Sequence, residues 1–138
     1  MKPYIHRVHY YETDKMSITH HSNYIRWMEE ARVDFLDQIG WNFAKLESLG
    51  VASPVVQVNC SYKTSTKFDD RVEITTTIEK YTGVKLVLHY VMKLAETDTI
   101  VCIADSAHAF TNADGRLLSI KKALPEMDQA LKQCQASD

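Results

Sequence analysis

Cysteine, glycine and proline are all scarce in this chain of 138 residues, which has three, four and three of them. The cysteines, Cys60, Cys102 and Cys134, are odd in number and widely spaced, with no C-x-x-C pair. That excludes a zinc ribbon and a disulfide framework. Cys60 and Cys102 fall in apolar-rich stretches and are expected to be buried, inert thiols; reduced thiols fit a cytoplasmic location. No Gly/Ser-rich linker, repeat or low-complexity segment divides the chain, and its length suits a single domain over residues 1–138. No stretch approaches the ~18 consecutive apolar residues of a membrane span. The start, Met1-Lys2-Pro3-Tyr4, lacks the apolar run of a signal peptide. A basic excess is missing too: the formal net charge is −2, which argues against nucleic acid as a partner. There is no G-x-S-x-G elbow, no G-x-G-x-x-G and no Walker loop, which argues against an α/β-hydrolase and the common nucleotide folds.

What is present is a clear sequence of periods. Residues 4–11 read as a strand and residues 12–21 as a polar, irregular loop. From Ser22 to about Ile39, Tyr24, Trp27, Met28, Ala31, Phe35, Leu36 and Ile39 recur every three or four residues. This predicts a helix with one long apolar stripe, Ser22 as its N-cap and Gly40 just past its end. A second short helical piece, 42–49, closes at Gly50. Residues 54–65, 71–81, 84–96 and 99–111 predict four antiparallel strands, two of them with clean alternation: Val72, Ile74, Thr76, Ile78 and Val84, Leu86, Leu88, Tyr90, Met92. Gly83 and Gly115 mark turns, and a short helix follows Pro125. The pattern is α+β, with a curved sheet of about five strands around an early helix. Long strands with open edges favour a homo-oligomer.

Reactive side chains concentrate in the loop before the long helix. Glu12, Asp14, His20 and His21 lie within ten residues, in a chain with six histidines. The first turn of a helix presents unpaired N–H groups and the positive end of a dipole, which would polarise an acyl carbonyl. A nearby carboxylate could then attack the acyl carbon or activate water. A thioester suits this, since a thiolate leaves with little acid assistance. Turn and capping preferences alone also place Asp, Ser and Asn in such loops. The same four residues could in principle ligate a metal, but adjacent histidines seldom converge and no i,i+4 His pair exists, so no metal is expected. His6, His9, His89 and His108, on the remaining strands, read as structural.

The run Tyr11-Glu12-Thr13-Asp14 through His21-Ser22-Asn23-Tyr24, followed by Glu29-Glu30-Ala31-Arg32, resembles the hotdog-fold acyl-CoA thioesterases related to 4-hydroxybenzoyl-CoA thioesterase and the Tol–Pal-associated thioesterase. The likeness continues through Val55 to Asp70 and Ala104 to Arg116. It implies the hotdog fold, hydrolysis of an acyl-CoA or acyl-carrier-protein thioester, and no cofactor beyond the coenzyme A of the substrate. It places Asp14 at the catalytic carboxylate and the His21 amide at the thioester oxygen, with Asn23 and Tyr24 opening the helix. It also implies dimers, often paired into tetramers, with active sites between subunits. Ser17 stands where the family often has glycine, a change expected to reshape the acyl entrance beside His20. Lys63, Lys67 and Arg71 are the basic residues expected to meet the coenzyme A phosphates. Two other functions share this scaffold: a dehydratase or hydratase acting on acyl thioesters, and a non-catalytic module binding acyl-CoA or acyl-carrier protein.

Overall fold

The computed structural model describes residues 1–137. Five strands among them form one antiparallel sheet in the order β1-β3-β4-β5-β2. They are β1 (Tyr4–Arg7), β2 (Val55–Tyr62), β3 (Arg71–Tyr81), β4 (Lys85–Leu94) and β5 (Ile100–Ala109). Helix α1 (Ser22–Gln38) packs against β1, β2 and β3. This is the α+β arrangement the periods predict, and it has the layout of the hotdog fold that the resemblance implies. No helix among the described residues is long and apolar enough to cross a membrane.

The alternation in β3 and β4 does what period two dictates. Val72, Ile74 and Ile78 face inward from one strand and Leu86, Leu88, Tyr90 and Met92 from its neighbour. Register shifts between Ile78 and Lys80 and between Met92 and Lys93 break the ladder, and such bulges bend a sheet. Into its hollow α1 sends Trp27, Ala31 and Phe35, each no more than 1% exposed. Truncating a fully buried Phe35 to alanine would cost about 3–5 kcal/mol. Arg32 lies on the same buried stripe, with its Nη1 donating to Ser53 Oγ at 2.9 Å and its guanidinium over the Phe43 ring. Gly40, at φ 85°, ends the helix in the left-handed conformation, as expected, and Trp41 N–H closes back onto Leu36 O at 2.9 Å.

Several boundaries differ from the sequence reading. The strand expected over 4–11 ends at Arg7, because its partner β3 begins at Arg71, directly opposite. The chain then turns through a 3₁₀ segment, Tyr10–Glu12, drawn in by the Glu12 carboxylate, which accepts His9 N–H at 2.7 Å. Ser22 is not the N-cap: His21 holds that position with helical dihedrals, and the Ser22 hydroxyl turns to His20 Nδ1 at 2.8 Å. The strands expected over 54–65, 84–96 and 99–111 are each trimmed at both ends. The second helix is α2 (Phe43–Ser48), capped by Asn42. The C-terminal part holds more helix than expected: α3 (Ile120–Ala123) and the long α4 (Pro125–Ser137), which packs on α3 and β3 through Met127 and Leu131. Cys102 is buried as expected, whereas Cys60, on edge strand β2, is half-buried.

Candidate active site

The loop from Thr13 to Thr19 folds back on itself, its two ends paired by an isolated bridge. Asp14 N–H donates to Ile18 O at 2.9 Å, and Asp14 O accepts Ser17 N–H at 2.9 Å. So tight a reversal needs a left-handed residue, and Ser17 supplies it at φ 64°, a conformation easier for glycine. The Asp14 side chain is half-buried and its Oδ1 accepts Met16 N–H at 2.8 Å. Oδ2 takes part in no hydrogen bond or ion pair among the described residues. One oxygen is thus anchored and the other is available.

The loop is braced from behind. Glu12, 4% exposed, carries three donors on its carboxylate: His6 Nε2 at 2.9 Å, His9 N–H at 2.7 Å and Trp27 Nε1 at 2.8 Å. Burial opposes its ionisation, but these donors outweigh burial and hold the carboxyl below its usual pKa. The Glu12 carbonyl accepts His20 N–H at 2.8 Å and Asn23 Nδ2 at 3.0 Å. Thr19 N–H donates to Thr66 O at 2.8 Å, while Thr66 Oγ1 meets Thr19 Oγ1 at 2.6 Å and Tyr24 OH at 3.1 Å. Asn23 and Tyr24 are therefore buried braces, whose side chains face the interior. Thr66 is a contributor that the sequence reading did not single out, and Glu12, read there as one of the loop's reactive carboxylates, instead turns inward as a brace, since nothing local distinguishes an inward-facing carboxylate in a polar loop.

The entry to α1 leaves one donor open. Ser22 N–H reaches His20 Nδ1 at 3.2 Å, Asn23 N–H reaches His20 O at 3.0 Å and Tyr24 N–H reaches His21 O at 3.2 Å. The His21 N–H has no acceptor among the described residues. The His20 and His21 rings are exposed and stacked with centroids 4.4 Å apart, and His21 lies edge-on to Tyr62. Lys63 and Lys67 are exposed on the segment that Thr66 ties to this loop. Arg71 is set apart at the start of β3, opposite Arg7. Glu12, Asp14, His20 and His21 do not converge as metal ligands. The residues whose ligand atoms do converge, among the described ones, are His6, His9 and Glu12.

Grooves of about 430 and 520 Å³ lie on the outer face of α1 and beside α2, neither of them lined by Asp14. Exposed apolar side chains surround the loop instead: Tyr10, Tyr11, Met16, Ile25, Tyr62 and Phe68.

Known proteins share this chain's pattern. The sequence model of the thioesterase-like superfamily matches residues 8–134. A putative acyl-CoA thioesterase of Bacillus subtilis, YneP, is 32% identical over 123 residues, covering 89% of each chain. A putative esterase of Aquifex aeolicus is 32% identical over 124 residues, 90% of this chain and 94% of that one. The crystal structure of DHNA-CoA thioesterase from Staphylococcus aureus superposes with a TM-score of 0.92 at 27% identity, over 98% of this chain and 91% of its own.

Proposed function

The chain belongs to the thioesterase-like superfamily of thioester hydrolases, and on that premise we propose that it cleaves acyl-CoA thioesters to a free acid and coenzyme A, with Asp14 as the reacting carboxylate. The observation that supports this reading is that one braced loop carries both an Asp14 oxygen and a His21 N–H without a hydrogen-bond partner among the described residues. The thioester carbonyl oxygen accepts the His21 N–H, where the helix dipole also favours negative charge. Asp14 then attacks the acyl carbon, or takes a proton from a water that attacks it. The carbon–sulfur bond breaks and coenzyme A leaves as the thiolate. If an acyl-aspartyl anhydride forms, water hydrolyses it and restores the carboxylate. No cofactor is required by these steps.

The substrate would lie between copies of the chain in a dimer, or in a tetramer made of two dimers. Edge strand β2, with Val55, Val56 and Tyr62 exposed, and the apolar rim of the loop supply surface for that contact. Ser17 and His20 would shape the acyl entrance, and Lys63 and Lys67, with Arg71 further off, would meet the phosphates. A dehydratase needs a histidine with an acidic partner beside the substrate. The exposed loop histidines pair instead with each other and with Ser22. The test is thiol release from short, long and aromatic acyl-CoAs, with acyl-carrier-protein thioesters in parallel. Turnover of at least one acyl-CoA is expected; tight binding with no thiol released from any substrate would instead favour the binding-module reading.

A further inference from the structure

Behind the loop lies a second cluster of titratable side chains that the hydrolysis does not use. The ligand atoms of His6 on β1, and of His9 and Glu12 at the 3₁₀ turn, all fall within 4.8 Å of one another. His6 and Glu12 are each 4% exposed, while His9 opens to solvent. The His6 ring sits between two carboxylates, with Nε2 at 2.9 Å from Glu12 Oε1 and Nδ1 at 3.2 Å from Glu30 Oε2. An imidazole nitrogen of His6, an imidazole nitrogen of His9 and a carboxylate oxygen of Glu12 thus face one small volume, which a single cation could occupy.

We propose that His6 Nε2, His9 and Glu12 Oε1 form a three-ligand site for a divalent transition-metal ion of the zinc type. Two imidazoles and one carboxylate make a borderline nitrogen–oxygen donor set that suits zinc and disfavours calcium or magnesium. Glu30 Oε2, 3.2 Å from Nδ1, stands where a carboxylate would orient the imidazole once Nε2 gives up its proton to bind a metal. Trp27 Nε1 fixes the other Glu12 oxygen. Metal–ligand bonds of about 2.0–2.2 Å require the Nε2–Oε1 contact to widen by a few tenths of an ångström. His9 opens to solvent, so a water could complete the ligand set on that side. On the adjoining face of α1, Glu29, Glu30, Asp34 and Asp37 outnumber the one cation, Arg26, and the net negative potential favours a bound cation. The ion takes no part in hydrolysis. It ties β1, the 3₁₀ turn and, through Glu30, α1 together behind Asp14. This proposal is independent of the thioesterase reading.

The test uses the intact protein, treated with chelator, then titrated with Zn²⁺ by calorimetry and with Co²⁺ by visible absorption. One equivalent is expected to bind, raising the melting temperature and giving the Co²⁺ ligand-field bands of a nitrogen–oxygen site. His9→Ala, at an exposed residue, is expected to leave the metal-free melting temperature nearly unchanged and to weaken binding at least about tenfold. Glu30→Gln is expected to weaken it by about 10–100-fold. A His20→Ala/His21→Ala double variant should keep the equivalent. The proposal is overturned if no saturable binding occurs at millimolar zinc. It is equally overturned if the bound equivalent survives His9→Ala and disappears with the His20/His21 pair.

Discussion

Trp27, on the buried stripe of α1, donates its indole N–H to Glu12 Oε2 at 2.8 Å, two residues before Asp14. One residue therefore links core and site: the Glu12 side chain is held by Trp27, His6 and His9, and its carbonyl holds His20 and Asn23. Trp27→Phe keeps an aromatic ring in the core but gives up part of the indole's buried volume and leaves a buried carboxylate oxygen without its donor. The expected loss is about 1–3 kcal/mol of unfolding free energy in urea titration, against near-zero for an exposed substitution. Thiol release should fall with it, since the loop loses part of its support.

Ser17 carries a left-handed backbone that costs a residue with a Cβ roughly 1–2 kcal/mol. Glycine removes that strain but loses more chain entropy on folding, so Ser17→Gly is expected to raise stability by no more than about 1 kcal/mol. Ser17→Val, β-branched at the same dihedrals, should lower it by about 1–3 kcal/mol. Denaturant midpoints for the three proteins should fall in the order Gly, Ser, Val; the reverse order would mean that the loop is not held left-handed in solution.

His108 is 1% exposed on β5, with Nε2 at 2.7 Å from Ser106 Oγ, which in turn meets Tyr90 OH at 2.8 Å. Burial, reinforced by the Arg32 charge, pushes its pKa down to about 4; the Ser53 backbone opposes this only weakly, and Nδ1 makes no hydrogen bond. Folded His108 stays neutral where the unfolded chain, at about 6.5, already binds a proton. Its contribution is therefore intact above pH 6.5 and is lost as pH falls toward 4. A gap from about 6.5 to about 4, at about 1.4 kcal/mol per pH unit, comes to roughly 3 kcal/mol. The pH dependence of stability over that window should be visibly flatter in His108→Gln, and an unchanged slope would count against a buried neutral imidazole.

The sequence made some of this readable and concealed the rest. The β3 span, 71–81, and the α1 stripe from Tyr24 to Leu36 follow from periodicity because one face of each must be buried. The Asp14 loop was legible because its parts are contiguous. Thr66 was not, since it reaches Thr19 across 47 positions from an undistinguished polar turn. The end of β1 depends on where its partner begins, and the inward turn of Glu12 depends on donors from β1 and α1. Ser22 looked like a cap by residue type, but the carbonyl of His20 already serves Asn23, so the helix begins one residue earlier than a Ser22 cap implies. Arg32 and His108, polar groups on buried faces, are visible only once Ser53 and Ser106 are placed beside them.

The central claim is that the available oxygen of Asp14 performs the chemistry. Asp14→Asn keeps the size of the side chain and an acceptor for Met16 N–H, so circular dichroism and melting temperature should stay close to the parent. Thiol release from the best acyl-CoA of the panel should fall by at least about a thousandfold, roughly 4 kcal/mol of barrier. A folded Asp14→Asn protein with near-parental turnover would contradict the account and move the reacting group elsewhere in the loop.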